Sequence, residues 1–220
     1  MLLKRLNILI IGACLPGIIL GVVLLGFLNP WIIDFEYTRL KMSDSMFIDI
    51  GGIEEARIIA IDCVEYVIGT TKENYLAELD DDQGQSIFNS REIKHMKDVR
   101  NVIKSILLWS KWSFWSALVV FCVSLYFNWV TLSTLKSPVI FVNWAFIIVI
   151  FTILIYILLN FNAFFTSFHE LLFEDGTWTF ASTDMLIRLF PLKFWFDITI
   201  YITLAILTEC AILLLIVKRI

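Results

Sequence analysis

Four long apolar stretches constrain this chain more than anything else in it. They run over residues 6–28, 106–130, 139–161 and 196–217. The first, Leu6 to Leu28, rises about 34 Å as a helix, enough to cross a hydrocarbon core of about 30 Å. Backbone groups in lipid must be satisfied within the segment, so each stretch is read as a helix. The first is too long for the apolar core of a cleaved signal peptide and ends in NPW, so it reads as a retained anchor. Gly17 and Gly21 place a GxxxG pattern on it, which permits close helix packing. Composition agrees with membrane residence: 59% of residues are hydrophobic, against about 45–50% in soluble domains. The fold class expected is an all-α integral membrane protein, a single membrane domain over 1–220. It has four transmembrane helices and a small, mainly helical extracytoplasmic cap at 29–105 between spans 1 and 2.

Orientation follows from the short flanks. Lys4, Arg5, Lys136, Lys218 and Arg219 fall on one side, which the positive-inside rule makes cytoplasmic. Both termini are then inside, and the segments at 29–105 and 162–195 are extracytoplasmic. Trp109, Trp112 and Trp115 mark the outer end of the second span, as an aromatic belt does. Glu209 lies within the fourth span; an ionisable residue there signals function by default, but so far from the outer face the expectation is a structural one, reaching the cytoplasmic interface or pairing with Lys218 or Lys136.

The cap sequence is acidic, with 15 acidic and eight basic residues over 29–103. ARIIAIDCVEYVIG is rich in apolar residues and KENYLAEL follows helical spacing, with Thr71 a capping candidate for the second. DDDQGQ at 80–85 reads as an exposed loop. Ser90 is a plausible N-cap for a helix running into the second span, and on it Arg91, His95 and Asp98 share one face. Asp98 is thereby placed to hold His95 in one tautomer.

The connector AFFTSFHELLFEDGTWTFASTDMLIRLFPLKFW carries the other histidine, His169. Phe165, His169 and Leu172 share a helical face. EDGT reads as a tight turn, because Asp-Gly accommodates positive φ, and the β-prone TWTF suggests a small hairpin. Ser182 or Thr183 is placed to cap DMLIRLF, which stops at Pro191.

Histidine suits proton transfer near neutrality, its unperturbed pKa being about 6.5. The chain has two histidines, and the topology puts both at one membrane face. There is no G-x-S-x-G elbow, no H-E-x-x-H and no Cys/His zinc set, so no metal site is expected. His169-Glu170 is only half of a zincin motif. The four cysteines, Cys14, Cys63, Cys122 and Cys210, read as small buried residues, with Cys63 as an acyl-accepting nucleophile the sharper alternative. No basic stripe points to nucleic acid.

SREIKHMKDV before a span, and SFHELLFEDGTWTFASTDMLIRLFPLKFW between two more, resemble the bacterial lipoprotein intramolecular transacylase family. FHELLF, the following tryptophan and D-x-L-I-x-L-F-P carry the likeness; residues 50–90 add nothing to it. The resemblance implies an acyltransferase at the outer face of the plasma membrane. Its substrates are diacylglyceryl-modified lipoproteins presented among membrane phospholipid. The sn-2 acyl chain moves to the α-amine of the same cysteine, giving the lyso form, N-acyl S-monoacylglyceryl lipoprotein. It further implies His95 and His169 as the catalytic pair; His169 is read as base toward the amine and His95 as its acid partner, the reverse division being the alternative. Neither cofactor nor metal is required. Supporting roles are assigned to Asp98 as orienter of His95, to Arg91 or Arg188 beside the developing oxyanion, and to Trp178 in the acyl groove. The rival readings are a lipid or lipoprotein hydrolase using the same histidines, and a non-enzymatic membrane sensor. The sequence carries no sign of oligomeric state.

Overall fold

The computed structural model describes residues 2–81, 83–129 and 131–219, and of residues 2–5 and 132 the backbone alone. Asp82 of the acidic loop, Val130 at the expected end of the second span, and the side chains of Lys4 and Arg5 lie outside the described residues. Among these residues the regular elements are all helical. In order they are α1 (Leu2–Phe27), α2 (Trp31–Leu40), α3 (Ile53–Ile68), α4 (Ser90–Tyr126), α5 (Leu132–Leu159), α6 (Phe161–Leu172), α7 (Met185–Leu189) and α8 (Leu192–Arg219). Short 3-10 turns at Asp44–Met46, Ile48–Ile50 and Tyr75–Glu78 link them. Four helices are long and apolar enough to cross a membrane: Leu6–Phe27, Ser90–Tyr126, Ser133–Leu159 and Leu192–Arg219.

The chain divides into two compact units. The first gathers residues 1–26, 105–159 and 200–220. Its outward surface is apolar, with Trp112, Phe141 and Leu158 exposed, as a lipid-facing bundle requires. Its interior is joined by small residues and a few polar bonds, the usual cement of membrane helices. Asn7 Nδ2 donates to Ser124 Oγ at 2.9 Å, and Asn143 Nδ2 donates to the Cys210 carbonyl at 2.9 Å, all of these residues buried. Among the described residues no ion pair joins Glu209 to Lys136 or Lys218, the second of the two alternatives; Lys136 Nζ donates to the Lys218 carbonyl, an exposed α8 C-terminal acceptor.

The GxxxG pattern is used as such. Gly17 faces Ser113 and Trp109, and Gly21 faces Ser110, so α1 and α4 approach almost backbone to backbone. A Cβ at Gly21 would overlap both Oγ and Cβ of Ser110, whereas one at Gly26 meets nothing within 4 Å. Gly21→Ala is therefore expected to destabilise the bundle by about 1–3 kcal/mol, the usual range for overpacking. Gly26→Ala is expected to leave it unchanged or slightly more stable. Thermal unfolding in detergent checks this, and equal melting temperatures for the two variants would contradict it.

The second unit comprises residues 27–104 and 160–199. Its core is built from Tyr37, Phe47, Ile59, Tyr66, Leu76, Phe88 and Leu189, each at most 2% exposed. α3 closes at Gly69, whose φ of 91° suits a residue without Cβ, and the Thr70 amide returns to the Glu65 carbonyl. KENYLAEL does not continue as a helix: only the 3-10 turn at Tyr75–Glu78 forms, and Thr71 Oγ1 is buried without a partner instead of capping. So short a segment nucleates poorly alone, and Leu76 alone of it is buried in the core.

Three local expectations change at the site-bearing segments. The N-cap of α4 is Asn89, not Ser90: its Oδ1 accepts from the amides of Arg91 and Glu92 at 3.0 Å each, and Glu92 Oε2 accepts from the Asn89 amide at 2.8 Å. That is a reciprocal capping box. The turn at EDGT forms, with Gly176 at φ 78° and the Thr177 amide on the Glu174 carbonyl at 3.2 Å. TWTF, however, forms no strand. An isolated two-stranded hairpin is marginal in any case, and here Trp178 packs on a histidine ring instead. Finally, the residue flanking α7 is Asp184, in place of Ser182 or Thr183; its carboxylate accepts from the Ala181 amide at 2.8 Å.

Candidate functional site

The second unit contains both histidines. His95 lies in the second turn of α4. That helix has 37 residues, roughly 55 Å, longer than a bilayer core. Its first part carries Arg91, Glu92, Lys94, Lys97, Asp98, Arg100 and Lys104, so His95 belongs to the charged portion ahead of the apolar span. His169 lies near the C-terminal end of α6, a helix opened by Asn160, whose Oδ1 accepts from the Ala163 amide at 3.0 Å. Both side chains are buried, at 8% and 9% exposure.

The two imidazoles face each other with ring centroids 5.9 Å apart and planes 23° from parallel. Aromatic rings surround them. Phe173 lies 4.9 Å from His95 and 5.5 Å from His169, Phe180 is 5.4 Å from His95, Phe165 is 4.1 Å from His169, and Trp178 is 5.0 Å from His169. Phe165, four residues before His169, was open to inference from helical spacing; Phe173, in extended backbone past the end of α6, and Phe180 were not.

His169 Nδ1 lies 2.7 Å from the Phe165 carbonyl. A carbonyl only accepts, so Nδ1 carries the proton and the lone pair of neutral His169 sits on Nε2. Burial lowers its pKa, while the Phe165 bond pulls the other way. His95 is lowered further, to about 4, by burial and then by repulsion from His169. At neutral pH both rings are uncharged.

The supporting residues are placed otherwise than the sequence suggested. Asp98 does not orient His95, whose Nδ1 is buried with no hydrogen-bond partner. Asp98 instead lines an open cavity of about 320 Å³ with Lys94, Asn101, Leu172, Phe173 and Glu174. One turn of helix separates the two side chains, but the ring turns toward Phe173 and Phe180. Arg91 pairs with Asp184 at 3.3 Å and lies over Phe180. Arg188 is held by both oxygens of Asp49, at 2.5 and 2.8 Å, and donates to the Met46 carbonyl. Neither guanidinium is left as an unpaired cation beside the histidines. Trp178 does stand against His169, and its Nε1 is buried without an acceptor.

Cys63 does not fit the role of nucleophile. It is 1% exposed inside the core, and burial pushes its thiol well above the usual range. Among the described residues no group of His, Cys, Asp and Glu is arranged to hold a metal ion.

Glu92 is a residue that sequence reasoning passed over. It is 1% exposed, and besides closing the capping box its Oε1 accepts from the Leu186 amide at 2.7 Å. It thus ties the start of the His95 helix to the start of α7.

Known proteins share the fold of this chain. A protein of Aquifex aeolicus (strain VF5), uncharacterized, is 25% identical over 206 residues, covering 92% of this chain and 88% of its own. The in meso structure of the membrane integral lipoprotein intramolecular transacylase Lit from Bacillus cereus has the same fold. It superposes with a TM-score of 0.78 at 19% identity, over 98% of this chain and 94% of that one. Structures of the Bacillus cereus protein with one histidine changed to arginine or to alanine superpose with a TM-score of 0.68. The family model for the lipoprotein intramolecular transacylase Lit matches residues 8–195. With that match over most of its length, the chain belongs to the lipoprotein intramolecular transacylase family.

Proposed function

We propose that this membrane protein moves the sn-2 acyl chain of a diacylglyceryl-cysteine lipoprotein to the α-amine of the same cysteine, using His169 and His95. The observation that carries this reading is the face-to-face pairing of the chain's two histidines inside an aromatic enclosure. An ester and an amine on one substrate need no nucleophilic side chain. Proximity comes from the substrate itself, and the protein has to supply proton transfer and a dry, shaped site.

The protonation states favour one division of roles. An α-amine has a pKa of about 7.7–8.0. His95, lowered to about 4 chiefly by burial, is poorly matched to it, and His169, with its lone pair on Nε2, is taken as the base. Its Nε2 lone pair takes the proton from nitrogen as the N–C bond forms. The C–O bond to the glycerol then breaks, and the proton returns to the departing oxygen through His95. While it carries that proton His95 is a strong acid, because burial disfavours its cation. One proton has moved from nitrogen to oxygen, no water is consumed, and the mass is unchanged.

The enclosure favours transfer over the hydrolase alternative, since both imidazoles are more than nine-tenths buried. The orientation argued from flanking charges, with both termini cytoplasmic, puts this site at the extracytoplasmic face, where diacylglyceryl lipoproteins sit among phospholipid. The test is to incubate purified protein with a synthetic diacylglyceryl-cysteine lipopeptide and analyse the product by mass spectrometry. A product of unchanged mass with a blocked amine supports the proposal. A product lighter by one acyl chain supports hydrolysis, and no product leaves the sensor reading.

The pH profile gives a second check. Because both histidine pKa values lie below 6.5, neither ring becomes protonated until the solution is more acidic than that. kcat/KM should rise about tenfold per pH unit up to the amine pKa near 8 and then level off. A steeper, second-order dependence should appear only below pH 6.5. A second break above that value would contradict the depressed histidines.

A further inference from the structure

The reaction just described builds negative charge on the acyl oxygen, and a buried site must meet that charge with a donor. Two groups expected from sequence to do so are committed elsewhere: Arg91 to Asp184 and Arg188 to Asp49. What remains beside the base is the indole of Trp178. Its ring centroid is 5.0 Å from that of His169, and its Nε1 is buried without an acceptor. An indole N–H can only donate. Buried donors without partners are rare in native structures, because each costs about 1–3 kcal/mol. The second orphan in the enclosure, His95 Nδ1, belongs to the other catalytic ring. One unsatisfied polar atom thus belongs to an imidazole of the pair and the other to the indole packed on its partner.

We propose that Trp178 is a catalytic residue whose Nε1–H donates to the acyl carbonyl oxygen and stabilises the tetrahedral oxyanion as the amine attacks. This rests on the transacylase reading and adds a role to it. The donor is neutral, which suits a site that must also hold two uncharged imidazoles: a cation there would depress both bases further. The aromatic bulk of Trp178 packs on His169, so the ring and the N–H do separate jobs, and they can be separated experimentally.

The experiment replaces Trp178 with phenylalanine and, separately, with β-(3-benzothienyl)alanine, which keeps the bicyclic shape and lacks the N–H. Lipopeptide conversion is followed by mass spectrometry. Both variants are expected to lose about 10²–10³ in kcat with KM changed little, the usual effect of removing one oxyanion-hole donor. In wild-type protein labelled with [15N]tryptophan, the Trp178 indole N–H resonance is expected to move downfield on adding a phosphonate analogue of the diacylglyceryl ester. If the benzothienyl variant keeps kcat within about threefold, or the resonance is unmoved while the analogue binds, the oxyanion role is overturned and Trp178 is packing only. If wild-type protein itself gives no product of unchanged mass, the transacylase reading fails and takes this role with it. The two failures are therefore distinguishable.

Discussion

His169→Ala is expected to lower turnover by about 10²–10⁴, the range for loss of a general base, while leaving the protein folded. The side chain is buried among Phe165, Phe168, Phe173 and Trp178, so truncation removes packing as well as the base. His169→Phe separates the two effects, since it keeps a flat ring against the same neighbours. Turnover in both variants, measured beside thermal unfolding, decides the matter: equal loss of activity with stability retained in the phenylalanine variant assigns the effect to proton transfer. His95→Ala is expected to fall too, but by a different signature. With its acid partner gone, expulsion of the glycerol oxygen slows while attack by the amine is untouched.

The largest expected effect on stability lies at Glu92. Its two carboxylate oxygens accept from the amides of Asn89 and Leu186, at 2.8 and 2.7 Å. Burial holds its pKa above the ordinary carboxyl value, and the accepted amide bonds oppose that rise. Glu92→Ala leaves both amides without an acceptor and opens a void. Each unsatisfied buried group costs about 1–3 kcal/mol, so a loss of about 3 kcal/mol is a conservative figure. For a chain of this size that corresponds to a melting temperature lower by roughly 6–12 °C. Glu92→Gln keeps the volume and one acceptor and should lose about half as much. Because Glu92 links the start of α4 to the start of α7, the alanine variant should also loosen the placement of His95. Activity is then expected to fall before global unfolding does. A melting temperature unchanged in Glu92→Ala would show that the link is not structural.

What sequence reading recovered, and what it missed, divides along a physical line. Lipid forces long apolar helices on the chain, so four of them were legible from hydropathy alone. The Asp-Gly turn and the GxxxG approach were legible too, because each depends on residues adjacent in sequence or on one helix face. The aromatic neighbour Phe165 sits one helical turn before His169 and follows from the same periodicity, whereas Phe173 lies just past the end of α6 in extended backbone. The misses are pairings between distant segments. Arg188 meets Asp49 across 139 residues, and Glu92 meets Leu186 across 94. No local pattern encodes either. The expected Asp98–His95 bond failed for a subtler reason. Helical spacing placed the two on one face but did not show that the aromatic cluster draws the imidazole away. The capping error at Ser90 was a shift of one residue, between two side chains that both cap well.

The most direct test follows one acyl chain. A synthetic lipopeptide carrying an isotopically heavy sn-2 chain and a light peptide is mixed with one carrying a light chain and a heavy peptide. The mixture is given to wild-type protein, His169→Ala and His95→Ala, and the products are resolved by mass spectrometry. The account predicts that wild type converts both to N-acyl, S-monoacylglyceryl peptides with each label still on its original partner, and that both histidine variants leave the amines free. Labels exchanged between partners, free fatty acid in place of N-acylation, or undiminished conversion by either variant would contradict it.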